Sequence, residues 1–433
     1  MKRKTGLDQR LPDRQITPEI KTRNHGILSS IRNQWDKISV RIAAYSLILF
    51  LFYLAFVLYE VFFTGNITHN DTPPFCVDFG LFYTAGKMTL QGQIANIFQV
   101  DVHHALLEQI LHTVLPFYLP WLYPPTFLLL IAPLAALPFR LALVVWLTLT
   151  IALAGFAFYR MLPKRKELSF LLFGFPGFMM NLRWGQNGFL SAGLLGFGIA
   201  FLDDNPILSG ICFGLMAYKP QFAVLVFLVL LLSGKWKVFL WACISALGAI
   251  LISVVYFGTQ VWMNFFESLL SSSSAIFGDK LISIVSVIVS PYILFRLSGC
   301  GSQWSTIIQG VFSVLALAST VWVWRKSGNR ALKGAMLVLC IPLATSYFMQ
   351  YDLVLLGIPL VLLAYDCFEN GYRKAEMGLL ALLWVMPGIN WPIVQLTYIQ
   401  ICPFVLIAVV LMILLRVRRE RKNQTGQLPG ISA

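Results

Sequence analysis

A single carboxylate follows the first long apolar stretch of the chain, within CVDFGLFYTAGKMTLQG at residues 76–92. Asp78 lies there among aromatic residues and glycines. A partly buried carboxylate has a raised pKa and can act as a general base toward a hydroxyl within hydrogen-bond reach. Asp is also a preferred helix N-cap, so Asp78 could instead cap an interfacial helix. Spacing alone favours the cap, and a carboxylate engaged by helix amides is a weaker base.

The second charged candidate is Lys219, in GLMAYKPQFAVL, where Pro220 predicts a break between two helices. An ammonium group at membrane depth is costly and needs an anionic partner. That partner is either the phosphate of a lipid ligand or the carboxylate of Asp352 in the sequence MQYD. Snorkelling toward the membrane surface is a third explanation. Asp352 itself opens a helix, and capping or pairing explains it at least as well as chemistry.

Uncharged polar groups suited to sugar hydroxyls or a phosphate occur in RWGQNG at residues 183–188. Gln186 and Asn187 offer both donors and acceptors, and the flanking glycines permit close backbone approach. A turn that connects two helices explains the same residues equally well. Tyr123, at the start of YPPTFLLL, either lines a cavity or snorkels at the interface. Gln221 follows the break at Pro220 and joins the candidates.

Histidines do not form a predicted metal site in this chain. His103, His104 and His112 have no His, Cys or Asp companions at the spacing that metal ligands require. We therefore expect neither a metal nor another cofactor.

Composition places these residues in a membrane protein. The chain of 433 residues is 58% hydrophobic and only 12% charged, whereas soluble domains carry about 25% charged residues. Several apolar runs approach the length of a helix that crosses a hydrocarbon core of about 30 Å. Because lipid offers no partners to backbone amides, these runs are predicted to be helices.

The net charge of +14 does not indicate nucleic-acid binding. Basic residues gather at the ends of the apolar segments, which is typical of the positive-inside rule rather than of a surface that follows phosphates. Residues 1–41, with ten Lys and Arg against four acids, are predicted to be a cytoplasmic tail. Residues 42–416 form the polytopic domain, within which residues 64–121 are extracytoplasmic. Residues 417–433 form a second cytoplasmic tail, so the number of crossings is even.

The predicted fold is an all-α polytopic bundle of about 12 transmembrane helices, some of them short and tilted. Residues 122–160 have room for two helices but should cross only once net. Residues 257–280 are predicted to be an outer loop, and residues 281–303 a re-entrant or interfacial element. In this topology the segments that carry Asp78, Gln186, Lys219 and Asp352 all meet the extracytoplasmic face.

Five motifs follow one another along residues 40–415, in the order of a known membrane-enzyme family: DFGLFYTAGKMTLQGQIANIFQ, YPPTFLLLIAPLAALPF, GQNGFLSAGLLG, NPILSGICFGLMAYKPQ and YDLVLLGIPLVLL. The chain thereby resembles glycosyltransferase family 87, integral membrane enzymes of the GT-C class similar to polyprenyl-phosphate-mannose-dependent α-1,2-mannosyltransferases. The resemblance implies a GT-C-like bundle in which the first extracytoplasmic loop contains interfacial helices. It implies transfer of mannose or a similar sugar from a polyprenyl phosphate to a lipid or glycan acceptor, with inversion and without a metal.

The resemblance also implies roles and a location. The acidic base of such enzymes matches Asp78, and Lys219 with Arg183 would bind the donor phosphate. Substrate contacts are expected from Tyr123, Gln186, Asn187, Gln221, Tyr351 and Asp352. The expected location is a bacterial plasma membrane with the site facing outward and membrane lipids around it.

Two functions of other classes stay open at this point. A secondary transporter or lipid flippase would show inverted repeats around a site at the bilayer midplane, and no such repeat is detected. A non-catalytic membrane scaffold derived from the enzyme fold would retain the same residues.

Overall fold

The computed structural model describes residues 44–55, 58–59, 75–115, 118–277 and 287–424. The predicted tail 1–41 lies outside these residues, as does the start of the first loop. The described part is built from helices and contains no strand or sheet beyond one isolated antiparallel bridge, Ile288–Met349. The all-α class is therefore confirmed.

Five helical segments of the described chain are long and apolar enough to cross a membrane: Phe139–Met161, Trp236–Phe257, Ser302–Lys326, Gln350–Asn370 and Lys374–Thr397. Five shorter apolar helices accompany them: Ala44–Ala55, Pro125–Leu134, Gly188–Ala200, Pro206–Tyr218 and Pro220–Leu232. Ten residues of helix extend only about 15 Å, half of the hydrocarbon thickness. The count of 12 crossings therefore stays a prediction.

The helices are labelled in chain order: α1 Ala44–Ala55, α2 Val77–Leu90, α3 Val100–Leu111, α4 Pro125–Leu134, α5 Phe139–Met161, α6 Pro176–Trp184, α7 Gly188–Ala200, α8 Pro206–Leu215 and α9 Pro220–Leu232. The second half continues with α10 Trp236–Phe257, α11 Thr259–Phe277, α12 Pro291–Leu297, α13 Ser302–Lys326, α14 Arg330–Ala344, α15 Gly357–Asn370, α16 Lys374–Thr397 and α17 Cys402–Gln424. Short 3₁₀ helices lead into several of them, including Gln350–Leu356 before α15.

Burial distinguishes the centre of the bundle from its rim. The segment that ends in α15 is 83% buried, whereas α10 and α13 are each only 22% buried. Exposed leucines, isoleucines and valines cover the outer faces of α10 and α13. Apolar side chains left in this way on long helices are suited to lipid contact. The chain is an integral membrane protein by this criterion.

The number of crossings in residues 122–160 and 281–303 is open at the sequence level, and the structure shows which helices these regions contain. Residues 122–160 contain the short α4 and the long α5, so only one of the two helices has the length to cross. In the described part of residues 281–303, the one helix before α13 is α12, which has seven residues and spans about 10 Å. Residues 257–280, predicted to be an outer loop, contain the 19-residue helix α11, which is not among the five helices that could cross a membrane.

Helix α2, which carries Asp78, is almost entirely enclosed by protein. Eleven of its 14 residues are buried. Its glycines set the distance to neighbouring helices: a Cβ on Gly86 would lie 2.7 Å from Ala135 Cβ, and one on Gly80 would lie 3.1 Å from Leu107. Helix α2 therefore packs closely against α3 and the end of α4, which fixes the position of its first turn.

A separate charge network joins α15, α16 and α17 at the end of α15 that is distant from Asp352. Arg416 Nη1 lies 2.5 Å from Asp366, and Arg416 Nη2 lies 3.0 Å from Glu376. Arg419 also bonds to Glu376, at 3.2 Å. These buried charges compensate one another, so the network holds three helix ends together.

Candidate functional site

The first turn of α2 is held against the end of α6 by backbone contacts. Cys76 precedes α2 in the left-handed conformation (φ 58°), and its N–H donates to the carbonyl oxygen of Arg183 at 2.9 Å. Gly185 ends α6 with φ 65°, and a Cβ there would lie 2.8 Å from Phe79 Cβ. Two left-handed residues therefore meet where the two helices touch. The junction brings Asp78 close to Gln186.

Asp78 is buried in the first turn of α2, with 6% of its surface exposed. Its carboxylate accepts a hydrogen bond from the Gln186 side chain. Cys76, not Asp78, occupies the N-cap position, so the capping interpretation of Asp78 is wrong. Burial is the main cause that raises the pKa of Asp78 to about 7. A carboxyl group with this pKa is ionised in part near neutral pH and retains basicity.

Gln186 is itself oriented by two donors. Its Oε1 accepts from the Tyr123 hydroxyl at 3.3 Å and from the Asn187 N–H at 2.8 Å. The amide nitrogen is thereby left to donate to Asp78. Tyr123, Gln186 and Asp78 thus form one chain of hydrogen bonds.

Lys219 lies at the break between α8 and α9, as the sequence predicts. A 3₁₀ turn at Met216–Tyr218 precedes it, and α9 begins at Pro220. The Lys219 ammonium is 2% exposed, and its Nζ lies 2.5 Å from Asp352 Oδ1. Of the two partners open at the sequence level, the structure shows the carboxylate. The charge of Lys219 also reaches Asp78, where it lowers the carboxyl pKa.

Arg183 supplies the second cation near Asp78. Its guanidinium lies over the ring of Phe75 at 5.0 Å and over that of Trp184 at 5.5 Å. Aromatic faces of this kind hold a guanidinium in place and favour its charge. Arg183 also lowers the pKa of Asp78, whereas the negative charge of Asp352 raises it. The site therefore combines two carboxylates and two cations.

Three tyrosines approach the two carboxylates. Burial, followed by the charge of Asp352, raises the pKa of Tyr123 and of Tyr347 well above the ordinary value, and Asp78 adds to the effect in both. The Tyr351 ring lies 5.7 Å from the Lys219 Nζ. Tyr347 was not predicted from the sequence. Alternation of polar and apolar residues along an extended segment could have revealed it. That segment is only five residues long, which is too short for the pattern to be recognised.

Two predicted substrate contacts are not joined to this cluster. The Asn187 side chain is fully buried, with neither amide atom hydrogen-bonded among the described residues. Its backbone oxygen accepts from Tyr218 instead, at 3.3 Å. Gln221, in the first turn of α9, is half-buried and has no hydrogen bond to the cluster within the described chain.

The histidines of α3 are buried beside aromatic rings. His103 lies 6.3 Å from the Trp121 ring, and burial lowers the pKa of His103 to about 4. His104 bonds to Glu108, one turn away, at 3.2 Å. No group of three or more His, Cys, Asp or Glu side chains is placed to hold a metal ion in the part of the chain that the structure describes.

Comparison with models of protein families matches residues 121–349, more than half of the chain, to glycosyltransferase family 87. The protein belongs to glycosyltransferase family 87. The match is narrower than the expected residues 40–415. It contains Tyr123, Arg183, Gln186 and Lys219, whereas Asp78 lies outside it. No curated protein and no solved structure gives a significant match.

Membership of family 87 indicates the general class of the protein. The family name describes a glycosyltransferase, and the long apolar helices place this member in a membrane. Such an enzyme uses a sugar donor and an acceptor.

Proposed function

We propose that this family 87 protein transfers a sugar, mannose or a similar hexose or pentose, from a polyprenyl-phosphate donor to a lipid or glycan hydroxyl. The reaction takes place on the extracytoplasmic face of a bacterial plasma membrane and inverts the anomeric carbon. The observation that carries the proposal is Asp78: a buried carboxylate, hydrogen-bonded to Gln186, whose pKa is raised to about 7. A general base is most effective when its pKa is near the working pH.

The proposed step is a single displacement. The acceptor oxygen attacks the anomeric carbon and passes its proton to the Asp78 carboxylate as the new glycosidic bond forms. The bond from that carbon to the phosphate oxygen breaks, and the polyprenyl phosphate leaves with the electron pair. One base and one displacement give inversion.

The two cations of the site support the departure of the phosphate. Arg183 is held over the rings of Phe75 and Trp184, which fixes the place of its positive charge near Asp78, and we assign that charge to the phosphate of the donor. Lys219 has three N–H donors, and Asp352 accepts from one of them. The Lys219 ammonium can therefore keep its carboxylate partner and still stabilise negative charge on the leaving group.

The decisive test is Asp78→Asn, assayed with a radiolabelled polyprenyl-phosphate sugar and a membrane extract as the source of acceptor. Asn has the size of Asp but no basicity, so transfer should fall by at least about 100-fold, within the usual contribution of a general base. The thermal stability of the protein in detergent should change little, because Asn retains the hydrogen bond to Gln186 in one orientation.

Asp101→Asn is the matched control, since Asp101 is an exposed carboxylate on α3. It should transfer sugar at the wild-type rate. Transfer by Asp78→Asn at a near wild-type rate would remove Asp78 from the mechanism. Transport of the labelled donor without transfer, by the wild-type protein in vesicles, would replace the transferase with a flippase.

A further inference from the structure

Tyr347 lies in an extended segment that is paired with an earlier loop. The Val289 N–H donates to the Phe348 oxygen at 2.6 Å, and the Gln350 N–H donates to the Val287 oxygen at 2.8 Å. Side chains alternate between the two faces of an extended segment. Phe348 accordingly enters the main core, 5.3 Å from the ring of Phe222. Tyr347 points to the opposite face.

On that face, Tyr347 packs against a small apolar cluster of Ile288, Tyr292 and Ile293, beside Leu122. Leu122 adjoins Tyr123, whose hydroxyl bonds to Gln186. The Tyr347 ring is half-buried and near enough to Asp78 and Asp352 to feel both charges. None of the described residues provides its hydroxyl with a hydrogen-bond partner. The hydroxyl is therefore a protonated group at the edge of the site whose bonding capacity is unused.

Two buried glutamines hold the loop that supports Tyr347. Gln400 accepts from the Ser290 N–H at 3.4 Å and donates to the Ile288 oxygen. Gln309 accepts from the Tyr292 N–H at 3.0 Å and donates to the Leu343 oxygen, also at 3.0 Å. Each amide uses both its donor and its acceptor side. The wall that carries Tyr347 is thus fixed from behind.

The surrounding charges indicate what this hydroxyl binds. The carboxylates of Asp352 and Asp78 lie close enough for their charges to raise the pKa of Tyr347, and they would repel a phosphate, which is instead suited to Arg183 and Lys219. A phenol both donates and accepts hydrogen bonds, which matches a neutral hydroxyl. We propose that Tyr347 binds a hydroxyl of the acceptor next to the one that Asp78 deprotonates, and thereby selects polyhydroxylated acceptors. The inference rests on the proposed transferase function.

The test uses Tyr347→Phe, synthetic alkyl glycosides as acceptor probes and a polyprenyl-phosphate sugar as donor. Phe retains the ring packing against the cluster of Ile288, Tyr292 and Ile293, so thermal stability should be unchanged. The acceptor KM should rise about tenfold, the equivalent of one hydrogen bond between neutral groups. The donor KM, and hydrolysis of the donor without acceptor, should not change. Tyr83→Phe is the control. It also removes a phenol hydroxyl, but one that bonds to the Leu137 oxygen at 2.8 Å, so the acceptor KM should not change.

A series of deoxy acceptors, each with one hydroxyl replaced by hydrogen, identifies the contact. With the wild type, the KM of one of these analogues should be about tenfold higher than that of the parent glycoside. With Tyr347→Phe, the analogue and the parent should have the same KM. Equal losses in both proteins at every position would overturn the role of Tyr347. The inference also fails if the wild type hydrolyses the donor but does not glycosylate any alkyl glycoside. Absence of both hydrolysis and transfer would instead count against the proposed function.

Discussion

In the proposed mechanism the ionised carboxylate of Asp78 is the active form, so the activity depends on pH with a sign that follows from burial. Burial raises the pKa of this carboxyl group to about 7. The transfer rate should therefore rise with pH through about 7 and fall tenfold for each pH unit well below it. The pH–rate profile of the purified protein measures this directly. An acid limb near pH 4 would show that Asp78 is not the base.

Gln186→Leu should move that acid limb upward. The hydrogen bond from Gln186 lowers the pKa of Asp78, so its loss should raise the pKa by about one unit, the equivalent of about 1.4 kcal/mol. The rate lost at pH 7 should return near pH 8. Gln91→Leu, at an exposed position after α2, should leave the profile unchanged. A uniform loss of rate without a shift would indicate a purely steric effect.

We propose that the Lys219–Asp352 pair contributes to both folding and chemistry, and two variants separate these contributions. Lys219→Met leaves a buried carboxylate unpaired, which should cost about 3–5 kcal/mol. Adding Asp352→Leu should recover most of the thermal stability. The double variant should still show a donor KM raised at least about tenfold, since one ammonium donor to phosphate is missing. A wild-type donor KM in the folded double variant would assign Lys219 to structure alone.

At the residue scale, sequence patterns predict the charged members of the site better than its walls. Asp78 and Lys219 are conspicuous because ionised groups are rare and costly within apolar surroundings. The partner of Lys219 is harder to predict, because Asp352 lies 133 residues further along the chain. The position of Tyr347 depends on backbone pairing of its segment with residues 287–289. No local sequence pattern predicts this pairing.

Among the elements, the junction of α2 and α6 is the most sensitive to small changes. Gly185→Ala should be strained by its left-handed backbone, at about 1–2 kcal/mol, and should also push Phe79 away together with the first turn of α2. Gly234→Ala is the matched control: it has φ 78° and open space around its Cβ. Both changes should lower thermal stability, because both replace a left-handed glycine, but only Gly185→Ala should also lower the transfer rate. Equal effects of the two changes would show that Phe79 adapts without moving Asp78.

Hydropathy predicts the long helices and fails for the amphipathic one. Helices α10 and α13 stand out because they are long and apolar enough to cross a membrane. Residues 257–280 are predicted to be an outer loop from the inner position of Lys235 and Lys237 alone. Hydropathy does not reveal helix α11 there, because five serines and several other polar residues interrupt its apolar pattern. The short helices α4, α7, α8 and α9 are apolar, but their length alone does not determine how many of them cross.

For the whole molecule, the sidedness of the site is the main prediction to check. Gln93→Cys, at an exposed position, should react with an impermeant thiol reagent in intact cells. Gln427→Cys, in the predicted cytoplasmic tail and outside the described residues, should react only after permeabilisation. The wild-type chain gives the background of its seven native cysteines. Reaction of Gln427→Cys in intact cells, or protection of Gln93→Cys, would reject this topology. Protection of Gln93→Cys would also place the proposed site on the cytoplasmic face.

The amide of Gln400 also sets a time at which the site becomes complete. The loop it holds at Ser290 is synthesised 110 residues earlier. At about 5–20 residues per second, the ribosome reaches Gln400 roughly 6–20 s after it has made that loop. Until then, the wall beneath Tyr347 lacks one of its two glutamine supports. The nascent protein can thus insert most of its helices before this wall is complete.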